Sequence, residues 1–351
     1  MPKHEKKITL GRSPDGKLVR KSIYGKTKAE VQRRAFQAQQ EWLLNNTVRA
    51  DNDFSFITFA RKWLATDKQH ASLNTKAMYN NVIEKHLSPE LNDLYFSEIT
   101  QSDLQAIINM NFHKYETCNK IKLTLRQLYE SAVDNGIEIH KSVNIKKLVL
   151  PKKEKNEKRA LTEEETKALT KVQLNDKQRA FVNILYYCGL RREEALALEV
   201  KHVDLKNKHI KVSQALVFDK NTPVIERTKN SYSNRLVPIP TVLVPFLRDY
   251  VKDKQGLLFT MSDGSPMTHS SFVKFWQGIQ KALSEYAPTA KTLTPHLFRH
   301  NYATLLYYSN ISRKKAAEIM GHADTTMIDK VYAHLDEMKE NTSEKIDKVF
   351  N

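Results

Sequence analysis

Apolar positions recur every three or four residues through four successive stretches between residues 53 and 150: FITFARKWLATD, NTKAMYNNVIEKHL, TQSDLQAIINMN and ETCNKIKLTLRQLYESAVDNG. That period belongs to amphipathic helices, so this unit is expected to be wholly helical. In the second stretch Met78, Val82, Ile83 and Leu87 make the apolar side, which leaves Thr75, Lys76, Tyr79 and Asn80 to face outward. Residues 1–48 follow another pattern. KKITLG and KLVRKSIYG read as short strands joined by the turn SPDGK, and a helix follows from Thr27, with Glu30 completing a capping box. Val31, Ala35, Ala38 and Trp42 recur on one side of that helix.

LPKKEKNEKRA, residues 150–160, has one proline, a lysine-dense charge run and no periodicity, the marks of an interdomain linker. LTEEETKAL then opens a third unit, with Thr162 as N-cap and Glu165 three residues on. QRAFVNILYYCGLRREEALALEV continues it as helix, HIKVSQALVF, TPVIERTKN and NRLVPIP read as strands, and helices return from Val242. The expectation is a mainly α, multidomain chain with small β elements, in units 1–48, 53–150 and 158–351.

Composition narrows the partners. With 351 residues and 40% hydrophobic content, two or three domains can each have a core. There is no run of 18 apolar residues and no signal-like start, so a soluble, intracellular protein without a membrane partner is expected. Cys118 and Cys188 lie far apart and form no CxxC, which argues against a disulfide framework or zinc knuckle. The net charge of +17 points to a polyanion, first of all nucleic acid. Residues 1–50 hold twelve Lys and Arg against four Asp and Glu, as a DNA-reading sheet would and a merely solubilising extension also could. Thr75, Lys76, Tyr79 and Asn80 suit a phosphate-contacting helix, and Lys120, Lys122 and Arg126 add cations on the fourth helix. The basic linker is expected to lie along the same DNA.

The richest stretch is Thr294 to Leu335, which gathers His296, Arg299, His300, His322, Tyr332 and His334. A metal site would use His296 and His300 at i,i+4. However, Leu297 stands where the base of an HExxH site would be, and Arg299 puts a cation beside the pair. A packed core explains Leu297, Phe298, Leu305 and Leu306 but not the polar set. Thr294 as N-cap and Pro295 at N1 start a helix whose first turns project His296 and Arg299 from one face. An imidazole, a guanidinium and a helix N-terminus suit a phosphate oxyanion. The helix SRKKAAEIM ends at Gly321, His322 opens the turn beyond it, and a short helix from about Thr325 presents Tyr332.

In that order GLRREE, HLFRH, GH and the following tyrosine resemble the tyrosine recombinase (phage-type integrase) family. The likeness covers the third unit throughout. It extends more weakly to the second, similar to that family's helical SAM-like core-DNA-binding domain, and to the first, similar to integrase arm-binding domains. The resemblance implies a mixed α+β catalytic domain in which Arg191, Arg299 and His322 hold the phosphate. It implies His296 beside them, Glu194 as a supporting acid and Tyr332 as the nucleophile. Tyr302, Tyr307 and Tyr308 fall inside the preceding helix at the wrong spacing from Gly321 and His322, and His300 and His334 match only accompanying positions. The family's lysine lies nine residues before the proline of an SxRxVP segment. Ser233, Arg235, Val237 and Pro238 fit that segment, and Lys229 stands nine before Pro238.

The activity so implied is site-specific recombination of a mobile element through a 3′-phosphotyrosyl intermediate, with no cofactor or metal called for. The partners implied are double-stranded DNA at core and arm sites and three further copies of the chain. An excision factor or host DNA-bending protein would be an accessory, and the setting would be the bacterial cytoplasm, at the nucleoid. A type IB topoisomerase-like nicking and closing enzyme would use the same residues. A DNA-binding regulator with a silent site would keep only the charge.

Overall fold

The computed structural model describes residues 4–12, 18–46, 55–154, 159–227 and 231–339. Contacts divide the chain into two compact units, Met1–Glu154 and Lys155–Asn351. Among the described residues no helix is long and apolar enough to cross a membrane.

The first unit begins with an antiparallel pair, β1 (His4–Arg12) and β2 (Leu18–Gly25), and the helix α1 (Lys28–Asn46). The turn SPDGK lies outside the described residues. Ile8 and Ile23 pack with Val31, Ala35 and Ala38 of α1, as the helical spacing predicts. Thr27 caps the helix by accepting from the Glu30 amide, while the Glu30 carboxylate accepts from the Lys26 amide. Gly11 allows Trp42 to come close, since a Cβ there would lie 2.1 Å from the indole. Register sets Lys7 opposite Ser22 and Thr9 opposite Arg20, on the sheet face away from Ile8 and Ile23.

A second apolar cluster of this unit is built from helices: α2 (Phe56–Thr66), α3 (Leu73–Val82), α4 (Ser88–Leu91), α5 (Gln101–Met110) and α6 (Tyr115–Asp134). Phe56, Phe59, Phe96 and Tyr129 meet at its centre, with ring separations of 4.7 to 5.9 Å. Thr100 and Asp103 form a complete capping box for α5. Between α3 and α4 the backbone makes a π turn, Ile83–Leu87, in which the Ser88 amide reaches back five residues to the Ile83 carbonyl. Pro89 follows and has no amide to give the Lys85 carbonyl, which is the usual cause of such a break.

The second unit opens with α7 (Glu163–Lys171), capped by the expected Thr162–Glu165 box, and α8 (Asp176–Cys188). The expected continuous helix through GLRREE is interrupted. Gly189 ends α8 in the left-handed region at φ +61°, and α9 (Arg192–Leu196) starts again after Arg191. A side chain at Gly189 would also meet the Tyr302 ring at 2.2 Å.

Small sheets follow: β3 (Val203–Asp204), β4 (His209–Val212), the hairpin β5 (Gln214–Asp219) and β6 (Thr222–Arg227), then β7 (Arg235–Pro238). β7 pairs with β4, and β4 with β3. Among the described residues five α-helices follow: α10 (Val244–Val251), α11 (His269–Ser284), α12 (Pro295–Tyr308), α13 (Arg313–Met320) and α14 (Thr326–Lys339). Its core gathers Phe181 of α8, Phe272 and Trp276 of α11, and Phe298 of α12, with the aromatic rings in edge contact.

Candidate active site

The break at Gly189 places Arg191 as the N-cap of α9, one turn before Glu194. The Glu194 carboxylate is buried. It accepts from the Arg191 backbone amide at 2.8 Å and from its guanidinium at 2.7 Å. Two further guanidinium groups reach the same carboxylate. Arg235 of β7 forks onto both oxygens at 3.0 and 2.9 Å, and Arg299 of α12 stands 4.0 Å away. Burial opposes the charge on Glu194, but the Arg235 hydrogen bonds and the three positive charges outweigh it and bring its pKa down to about 2.

Arg299 starts from the second turn of α12, where Thr294 accepts from the Leu297 amide as the expected N-cap. It is buried, with one guanidinium nitrogen donating to the Gly189 carbonyl at 2.9 Å and the other to the Met320 carbonyl. Burial and the nearby Arg191 charge lower its pKa to about 9. The left-handed Gly321 ends α13 and turns His322 back toward this group. Arg191 donates to the Gly321 carbonyl at 3.2 Å, and Arg299 stands 3.0 Å from Nε2 of His322. A guanidinium can only donate, so Nε2 accepts and the neutral ring carries its proton on Nδ1. That Nδ1 is buried and has no hydrogen-bond partner among the described residues. Burial first, then Arg299, Arg191 and Arg235, push the His322 pKa down to about 4.

Three guanidinium groups thus face one carboxylate beside a neutral imidazole, leaving a surplus of two positive charges at a buried N–H donor. The arrangement suits a doubly charged, trigonal-bipyramidal phosphorane better than any neutral ligand.

The other expected site residues are His296, Tyr332 and Lys229. His296 is exposed in the first turn of α12. Tyr332 is buried on α14, and its hydroxyl donates to the Ile311 carbonyl at 3.1 Å. Its ring meets Tyr307 edge-on at 5.0 Å, and burial raises its pKa against a smaller opposing effect of Arg313. Lys229 lies outside the described residues, in the connection between β6 and β7. So do the tail from residue 340 and linker residues 155–158.

The outward-facing set on α3 needs correction. Tyr79 is buried, edge-on to Trp63 at 5.0 Å, while Met78 is only half-buried. The Thr75 hydroxyl is bonded to Ser72, Lys76 is half-buried and Asn80 is exposed. On α6, Lys120 and Arg126 are exposed. The Lys122 ammonium instead donates to the Lys146 and Leu148 carbonyls at 3.0 and 2.7 Å, so its first role is to tie down the segment after α6.

Arg235 belongs to this cluster, although its motif serves only to align the lysine segment. Its signal was present in RLVP, where strand alternation puts Arg235 on the face of Val237 and leaves Leu236 outside.

Residues 159–339 match the sequence pattern described as the phage integrase family, and residues 55–110 match the phage integrase N-terminal SAM-like domain. The chain is 27% identical to a tyrosine recombinase XerC-like protein of Caldanaerobacter subterraneus subsp. tengcongensis, over 98% of this chain and 95% of that one. It is 26% identical to the integrase of Staphylococcus phage L54a, over 94% and 98%. The fold is similar to that of the Tn1549 transposon integrase in complex with a circular intermediate DNA, with a TM-score of 0.68, 22% identity, and 82% and 100% of the two chains covered. It is also similar to a lambda integrase in a tetramer bound to a Holliday junction, at 0.59, 17%, 91% and 90%.

Proposed function

Because the chain belongs to the phage integrase family, and so recombines DNA at specific sites, we propose that Tyr332 is its nucleophile and the cluster around Glu194 its phosphate site. The Tyr332 hydroxyl oxygen attacks the scissile phosphorus, a phosphotyrosyl ester forms on the 3′ side, and the bond to the 5′ oxygen breaks. Lys229 delivers the proton that the leaving 5′ oxygen takes up. His296 accepts the phenolic proton, which matters because a phenol with a pKa near 10 is only about 0.1% ionised at neutral pH. Arg191, Arg299 and the Nδ1–H of His322 hold the non-bridging oxygens. The ester conserves the energy of the broken bond, so attack by the 5′-hydroxyl of a second duplex rejoins the strands without a nucleotide cofactor.

The observation that carries this reading is the buried Nδ1–H of His322, without a partner among the described residues, beside guanidinium groups whose charge exceeds that of Glu194 by two. A buried donor without an acceptor costs about 1–3 kcal/mol, and a phosphate oxygen removes that cost. Tyr332 must leave the Ile311 carbonyl to attack, so productive DNA binding includes a shift of α14. Recombination joins two duplexes, each cut on both strands, so four protomers act together. The positive face of residues 1–48 would read a separate arm site, and Asn80, Lys120 and Arg126 would contact the core duplex.

Tyr332→Phe is expected to bind core-site DNA as tightly as wild type and to form no covalent adduct with a nicked suicide duplex on denaturing gels. A shifted protein–DNA band from the variant would transfer the role to another residue.

A further inference from the structure

None of the chemical steps above uses Arg235, yet it is the most thoroughly engaged side chain of the site. It is 7% exposed, and each guanidinium nitrogen has a defined acceptor. Nη1 and Nη2 fork onto the two oxygens of Glu194, Nη1 also lies 3.4 Å from the Ser233 carbonyl, and Nε donates to the Ile319 carbonyl at 2.6 Å. Ile319 is in the last turn of α13, two residues before the glycine that turns the chain into His322.

The guanidinium also moulds that turn by contact. A Cβ on Gly321 would lie 2.8 Å from Nη1 and 3.0 Å from Cδ of Arg235, so only glycine fits between them. The Gly321 carbonyl in turn accepts from Arg191. Arg235 therefore joins three pieces of backbone that are far apart in sequence: the start of β7, the N-terminus of α9 and the turn carrying His322.

We propose that Arg235 is a positioning residue of the phosphate site, setting the Arg191 guanidinium through Glu194 and the His322 ring through Ile319 and Gly321. The inference rests on the reading of Arg191, Arg299 and His322 as phosphate ligands. Without Arg235 the Glu194 carboxylate keeps two cations within reach, and Arg299, now 4.0 Å away, becomes its natural second partner. Arg299 would then turn from the phosphate toward the carboxylate. Lysine cannot substitute, because a single ammonium cannot fork onto a carboxylate and also hold the α13 carbonyl from a fixed plane.

The test is single-turnover cleavage of a nicked suicide duplex by the full-length protein at saturating concentration. DNA affinity and thermal unfolding are measured alongside. Arg235→Lys and Arg235→Met should bind core DNA as wild type does and form the covalent adduct roughly 100-fold more slowly per folded molecule, the scale of an ångström-sized misplacement. The double variant Arg235→Met/Glu194→Gln should be no slower than the slower single variant, because the pair acts as one unit. A 5′-phosphorothiolate at the scissile position, whose leaving group needs no proton, should leave the Arg235→Lys defect in place.

Arg235→Lys cleaving at the wild-type rate would overturn the inference. So would additive single losses, full rescue by the phosphorothiolate, or a loss that only tracks the unfolded fraction. Wild type and Arg191→Ala are run beside them. If Arg191→Ala cleaves normally, the phosphate-site reading itself fails, whereas if Arg191→Ala is inactive and the Arg235 variants are normal, only the present inference does.

Discussion

His322 is a base that the fold keeps unprotonated. Its ordinary pKa near 6.5 falls to about 4 because the ring is buried and three guanidinium groups stand around it. In the unfolded chain the same imidazole is already protonated below pH 6.5, so unfolding takes up a proton between pH 6.5 and 4, and stability drops as the pH falls through that window. Glu194, held at about 2 against an ordinary 4.5, acts in a lower range: its contribution is complete above 4.5 and is lost as the pH falls toward 2. His322→Gln should therefore flatten the loss of stability between pH 6.5 and 4.5 and leave the steeper loss below it. Denaturant unfolding of both proteins at pH 7, 5.5 and 4.5 checks this, and parallel curves would mean that His322 is not held neutral. Arg191, Glu194, Arg299 and His322 were legible in sequence because short motifs carry them. Arg235 was readable only as an arginine on the inward face of a strand. That the Tyr332 oxygen rests on Ile311 had no sequence signal, since it depends on how α14 lies against the neighbouring helices.

Among the elements, α14 carries the proposed nucleophile and holds its hydroxyl on the Ile311 carbonyl. Arg313, at the start of α13, pairs with Asp336 at 2.9 Å and approaches Asp329 at 3.9 Å, and the Tyr307 hydroxyl of α12 donates to Asp336. These contacts are exposed, and such a pair is worth no more than about 1 kcal/mol. If they help hold α14 with Tyr332 on Ile311, Asp336→Asn should speed covalent capture of a suicide duplex by up to about fivefold, the rate equivalent of that energy. DNA affinity should be unchanged. Slower capture at equal affinity would mean that Asp336 is needed in the reactive arrangement instead. α3 shows a residue whose polar tip misleads where helix phase does not. Tyr79, Ile83, Leu87 and Leu91 are all buried at four-residue spacing. That spacing drifts by about 40° per step in a straight α-helix, yet Tyr79 still falls between Val82 and Ile83 in angle, so the ordinary period already puts it inside; its polar hydroxyl, not its phase, is what suggested an outward position. The π turn before Pro89 absorbs the drift and keeps the whole row facing inward.

For the whole molecule, the open matter is what residues 1–48 add. Their apolar cluster of Ile8, Ile23, Val31, Ala35 and Ala38 is separate from the helical core that starts at Phe56. Residues 1–50 carry a net charge of +8, and the sheet face turned from α1 exposes Lys7, Thr9, Arg20 and Tyr24. A two-stranded ribbon with a cationic face and polar and aromatic tips is of a kind that can enter a major groove, whereas a solubilising extension needs no such sheet. If this piece reads an arm site while the rest holds the core, one protomer bridges two DNA segments, and tethering raises the effective concentration of the second contact. A protein beginning at Asp51 should still form the Tyr332 adduct on a core-site suicide duplex. It should lose protection of distal repeats in footprints on a long attachment fragment, together with most intermolecular integration. Its DNA affinity should also fall less steeply with salt, because fewer phosphate counterions are released. A basic extension would weaken binding to every sequence alike and protect no distal one, so identical footprints from the full-length and shortened proteins would rule out the arm reader.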